Sequence, residues 1–187
     1  YLPLIPDLAL LRDRSPQWRW FYRPLALGWQ GTEGQHRRLE KAIGIMAVAI
    51  IPIAVSVHTV VSWVFAMTLV PMWHSAIFGP YFVVGAIFSG IAALIIAMAI
   101  MRRVFNLGAF FQEIHFNNLG LLMLTMACLW FYFTFAEHLT VWYGNEPDEV
   151  AVLNARLSGP FALSFWTMIV SCFVIPLAIL SFRKLRT

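Results

Sequence analysis

An ionisable side chain inside a long apolar run is costly in a bilayer, so each one is a functional candidate. This chain has few of them. His58 is the one histidine well inside such a run, with Ser56, Thr59 and Ser62 close by. At i, i+1 and i+4, His58, Thr59 and Ser62 share a helical face. That face either lines a polar pocket or holds a neutral imidazole hydrogen-bonded to a neighbouring helix. Glu137 and His138 form an adjacent acid and base at the end of a later apolar run. They are either a working pair or an interfacial pair touching water. Beyond them come Trp142 and Tyr143, a Gly144-Asn145 turn signal, and the acids Glu146, Asp148 and Glu149. The remaining pairs, Glu113 with His115 near Arg102 and Arg103, and His74 beside Trp73, fall in expected loops.

Metal and cofactor chemistry finds little support. Cys128 and Cys172 lie in apolar runs with no CxxC, no CxxCH and no second Cys/His pair at ligand spacing, so they read as small buried apolar residues. A b-type haem needs two histidines facing each other across helices. His58 and His138 are the only such candidates, and no span carries a spaced His pair. Flavin, nicotinamide and iron-sulfur motifs are absent. The expectation is no metal, haem or iron-sulfur centre in this chain.

The elements that must position these residues are membrane spans. The chain is 60% hydrophobic and 12% charged, against about a quarter charged in soluble domains. Four apolar runs, residues 42–70, 76–100, 117–136 and 161–182, are each long enough to cross a bilayer, which takes about 20 residues. The predicted fold is an all-α integral membrane protein, a four-transmembrane-helix bundle over residues 42–187. Residues 1–41 precede it as a basic, aromatic-rich cytoplasmic interfacial segment carrying Trp18, Trp20, Tyr22 and Trp29. Its first residues, YLPLIPDLALLRDR, read as the tail of a helix already under way in a longer polypeptide. Pro52 and Pro176 predict kinks rather than breaks, because neighbouring helices and hydroxyls satisfy the freed carbonyls.

Orientation follows from the loops. If the runs alternate, all 13 Lys and Arg except Arg156 fall on one side: before residue 42, within 101–116, and after 182. The positive-inside rule makes that side cytoplasmic and puts the acidic segment 137–160 outside, in the periplasm of a bacterium. Basic residues mixed with aromatics also suit nucleic acid, but no nucleic-acid fold signature accompanies them, so a lipid bilayer and no nucleic acid is the expectation.

The segments SVHTVVSWVFA (56–66), VPMWHSAIFGPYFVVGAIFSG (70–90), LTVWYGNEP (139–147) and the final FWTMIVSCFVIPLAILSFRKLRT resemble the second half of the NrfD-like membrane subunits, which include the polysulfide reductase membrane subunit. The nearest likeness is to the quinol-oxidising membrane subunit of bacterial alternative complex III. One departure stands out: the family commonly has an acidic residue just before the Phe of the first-span motif, and Val64 stands there. The resemblance implies a multi-pass subunit of the bacterial inner membrane. It would pass electrons from menaquinol, held partly by an earlier bundle, to periplasmic iron-sulfur and cytochrome subunits beside a homologous membrane subunit. A coupled proton movement is part of that implication. In this redox reading His58, with Ser62, meets the quinol, while Glu137, His138 and Glu146 lead protons outward. In a scaffold reading the bundle binds no quinone, and Trp142, Tyr143 and Arg156 dock a periplasmic partner. A transporter would need broken helices meeting at the midplane, and two prolines are thin support for that.

Overall fold

The structure, a computed structural model, describes residues 1–69 and 75–186. Trp73 and His74 lie outside the described residues. The chain divides into two compact units, Tyr1–Val57 and His58–Thr187.

In the first unit two short helices, α1 (Ile5–Arg14) and α2 (Arg19–Leu25), pack on one another and bury Ile5, Ala9 and Ala26. The Tyr1 hydroxyl donates to the Leu25 carbonyl and ties the start of the chain to the end of α2. Arg12 Nε lies 2.8 Å from Asp13 Oδ1, and that hydrogen bond holds the exposed Asp13 carboxyl below its ordinary pKa. The turn after α2 needs left-handed backbone at Leu27, Gly28 and Gly31, two of them glycines. Gln35 reaches back into this turn, accepting from Gln30 N at 2.8 Å and donating to the Gly28 carbonyl at 3.3 Å. There α3 (Glu33–Phe65) begins. It thus starts before the expected span and takes in the end of the expected interfacial linker. Nothing in 33–41 stops a helix once Thr32 and Glu33 have started one. α3 passes through Pro52 without a break, and the Ser56 hydroxyl donates to the Pro52 carbonyl at 2.8 Å.

The second unit is built around one long helix. α4 (Phe78–Val104) and α5 (Glu113–Gly144) pack along each other; α5 also meets α6 (Pro147–Leu157) and the last span. That span, Ala162–Leu180, comprises α7 (Ala162–Ile169), one π turn (Val170–Val174) and α8 (Ile175–Leu180). Pro176 explains the wide turn. It lacks the N–H that an α-helix would aim at the Cys172 carbonyl, and its ring would clash there; widening the preceding turn relieves both. The core is Val84, Trp130 and Ile169, with Tyr81, Phe131 and Phe173 against it. The Phe131 and Phe173 rings stack at 4.0 Å, 6° apart. Gly85 faces the Trp130 ring, which lies 3.8 Å from where a Cβ would stand, an ordinary contact distance.

Among the described residues, four helices are long and apolar enough to cross a membrane, preceded by the short helices of the first unit. Their outward residues, Val48, Ile51, Ile96 and Leu163 among them, are exposed apolar side chains, as lipid contact requires. Arg102 and Arg103 close α4 where the helix dipole favours cations, and Glu113 opens α5 where it favours an anion.

α5 runs past the expected boundary. Glu137, His138, Trp142 and Tyr143 are helical rather than the start of a loop, since no residue among them breaks a helix. The Gly144-Asn145 signal is where the helix ends: Asn145 is left-handed, φ 54°, and its N–H bonds the Val141 carbonyl at 3.1 Å. Pro147 then opens α6 at the position a helix prefers for proline.

Candidate functional site

One cavity of about 650 Å³ opens in the second unit, at the C-terminal end of α5. α4 contributes Phe78 and Tyr81 from its first turns, α5 contributes Thr134, Glu137 and His138, and α6 contributes Val152, Ala155 and Arg156. The last span closes it with Phe161, Ser164, Phe165 and Met168. Mostly apolar walls with a few converging polar groups are the usual make-up of a small-molecule site.

Sequence spacing puts the α5 residues together. Thr134, Glu137 and His138 at i, i+3 and i+4 share a face. Thr134 is buried and donates to the Trp130 carbonyl at 2.9 Å. His138 Nδ1 lies 2.6 Å from the Thr134 carbonyl oxygen, and the imidazole meets the Phe165 ring at 5.1 Å. Glu137 Oε2 accepts a hydrogen bond of 2.7 Å from Ser75 Oγ, which ties α5 to the segment leading into α4.

The fourth wall depends on a tight turn. At Gly159 a Cβ would stand 2.7 Å from Ala155 Cα and 2.8 Å from its carbonyl oxygen, so only glycine lets the chain double back here. Phe161 N then bonds the Ala155 carbonyl at 3.2 Å, and Trp166 Nε1 bonds the Leu157 carbonyl at 3.1 Å. These bonds lock α6 against the last span with Arg156 between them.

Of the residues singled out in the sequence, the structure brings Glu137, His138 and Arg156 into this one cavity. The others lie elsewhere. Ser62, 1% exposed, donates to the Thr59 carbonyl at 2.7 Å, and His58 sits 6.4 Å from the Phe82 ring. Close packing there depends on Gly79, whose Cβ would come within 2.9 Å of Thr59 Cγ2. Glu146 is the exposed residue before α6, and Trp142 and Tyr143 are exposed near the end of α5. Sequence reasoning missed Ser75, Tyr81, Thr134 and Ser164. For Thr134 a signal existed, since it stands one helical turn before the Glu137-His138 pair.

Among the described residues no three His, Cys, Asp or Glu side chains come together as a metal site. Cys128 and Cys172 are free thiols, and neither is buried as expected: Cys128 is exposed on the outside of its span and Cys172 is half-buried.

A helical multi-pass chain with a polar-edged cavity at one end of its spans is the kind of protein that works within a membrane complex. Its residues 18–187 match the family described as Polysulphide reductase, NrfD, and the chain belongs to that family. It is an NrfD-family membrane subunit of the polysulphide-reductase type. No curated protein sequence matches it significantly.

Proposed function

We propose that the chain is an integral membrane subunit of a respiratory quinol-oxidising complex, of the kind found in bacterial alternative complex III. It would serve the transfer of electrons from menaquinol to periplasmic iron-sulfur and cytochrome partners. The observation that carries this reading is the convergence of Glu137, His138 and Arg156 in one largely apolar cavity at the end of the spans. Quinol oxidation sheds protons, so it needs acceptors placed where an apolar molecule and water can both approach. A carboxylate and an imidazole on one helical face supply them. Arg156, contributed by α6, favours a developing negative charge on oxygen. With the basic segments cytoplasmic, the cavity faces the periplasm, and protons released there leave to the outside.

The test is purification of the native complex in mild detergent, with quinone extraction, an optical spectrum and menaquinol oxidation assays. Menaquinone, iron-sulfur and cytochrome partners and turnover are the expected result. A chain that comes out colourless, without quinone and without turnover overturns the reading.

A scaffold role is favoured by a separate observation. Trp142 and Tyr143 are 67% and 85% exposed at the end of α5, beyond the length of helix that hydrocarbon covers. Exposed aromatics of this kind anchor protein interfaces. Changing both to alanine is expected to lower recovery of the periplasmic subunits about tenfold or more in affinity purification. Unchanged recovery would remove the interface from this surface.

A further inference from the structure

The opposite end of the second unit, where α4 stops and α5 starts, gathers positive charge. Arg102 and Arg103 close α4, and Arg183, Lys184 and Arg186 follow the last span. Two of these five lie against α5. The Arg102 guanidinium carbon stands 5.7 Å from the centre of the Phe116 ring, and the Arg186 stem covers buried Gly120. Phe116 and Gly120 are one turn apart at i and i+4, so both cations are drawn to one row of α5. The short turn Arg183–Leu185 carries Arg186 there, and its N–H bonds the Arg183 carbonyl at 3.3 Å. Among the described residues none of the five forms a salt bridge, and Glu113, one turn before Asn117 on α5, is exposed. Like charges gathered without a counter-charge repel one another, and an anion among them removes that cost.

Two atoms narrow the kind of anion. Arg186 Nε, a donor, and Asn117 Oδ1, an acceptor, are both buried without a hydrogen-bond partner among the described residues. Asn117 stands three residues before Gly120, on the face that Arg186 covers. Each unpartnered atom is costly until a complementary group arrives. We propose that this rim binds the headgroup of an anionic, hydroxyl-bearing phospholipid, a phosphatidylglycerol, between the end of α4, the first turns of α5 and the tail after the last span. The phosphate oxygens answer the two guanidinium groups, which bind phosphate in a two-pronged way. A glycerol hydroxyl answers Asn117 Oδ1. Leu121, Ile179 and Phe182, exposed apolar side chains beside this rim, answer the acyl chains. Phosphatidylcholine supplies neither the net charge nor the hydroxyl. Basic pockets between spans are the usual seats of such headgroups. The site shares no residue with the cavity and does not rest on the quinol reading.

The test uses the intact complex and a photoreactive phosphatidylglycerol, with the labelled peptides mapped so that lipid held elsewhere does not count. Labelling is expected at the end of α4, the start of α5 or the tail, competed by unlabelled phosphatidylglycerol and not by phosphatidylcholine. In Arg102→Gln with Arg186→Gln it should fall about tenfold or more. Arg102→Gln alone decides the matter if the double variant does not assemble. Gly120→Leu changes no charge but lifts Arg186 from its seat and should weaken labelling as well. Gly120→Ala should not, because its Cβ would meet Arg186 Cγ and Cδ at 3.4 Å, an ordinary contact. Replacing the exposed Arg183 and Lys184 by glutamine should leave labelling within about twofold. An equal loss there means a diffuse surface charge and overturns the seat. Unchanged labelling in the assembled arginine variants overturns it too. Displacement of the lipid by millimolar inorganic phosphate would make this a free-anion site and overturn the lipid.

Discussion

If the proposed function holds, replacing Glu137 with glutamine should leave an assembled complex whose menaquinol turnover is down about a hundredfold. Glutamine retains a carbonyl oxygen, so the 2.7 Å bond from Ser75 Oγ and the tie between α5 and the start of α4 survive. The capacity to take a proton is lost. Removal of a positioned proton acceptor typically lowers rates by about 10²–10⁴-fold. Alanine at the same position loses the proton acceptor and leaves the Ser75 hydroxyl without its acceptor, so it should cost assembly as well as turnover. The pair of variants separates chemistry from structure. Steady-state oxidation assays on complexes whose assembly is checked by native gel would read it. Wild-type turnover in the glutamine variant would reduce Glu137 to a strut.

Trp130→Ala should be the most damaging single change to folding. Trp130 is 7% exposed, meets Tyr81 at 5.9 Å and forms the core with Val84 and Ile169, so it joins α4, α5 and the last span at once. In a soluble core such a truncation costs about 3–5 kcal/mol. Lipid matches protein in polarity, so the transfer part of that cost shrinks and the lost packing remains, which puts the expectation near about 3 kcal/mol. Thermal unfolding in detergent, followed by size-exclusion of the surviving complex, would measure it. A midpoint close to wild type would mean that the three helices are held by something other than this contact.

The outline of the molecule was legible from hydropathy. Runs of apolar residues too long for a soluble core placed four spans, and Gly144 with Asn145 marked a turn, but the expected acidic loop 137–160 holds the end of α5 and all of α6, whose start at Pro147 was not read. The interior was harder to read. α5 is apolar nearly all round, so no stripe in its sequence tells the face that meets α4 from the face that meets lipid. Tyr81 and Ser164 become cavity residues only through the way α4 and the last span lie against α5. Helix ends were misread for a related reason. Charge and aromatics mark where lipid ends, but a helix ends where its backbone is told to, and in α5 the first such instruction is Asn145. His138 was visible as a candidate from its type alone. Its tautomer was not, because that depends on a carbonyl one turn earlier along the same helix.

The wide turn at Val170–Val174 has a consequence for how this cavity is built. One π turn holds one residue more than an α turn would, so it acts as an indexing step in the last span. Taking one residue out would return the span to a uniform pitch and rotate its first half by about 100° relative to its second. Phe165, Ser164 and Met168 would swing off the cavity together, while Pro176 and the residues after it stayed in place. The fourth wall is therefore set by a residue count in the backbone. A family member one residue shorter at this point could keep every side chain of that wall and still have no pocket.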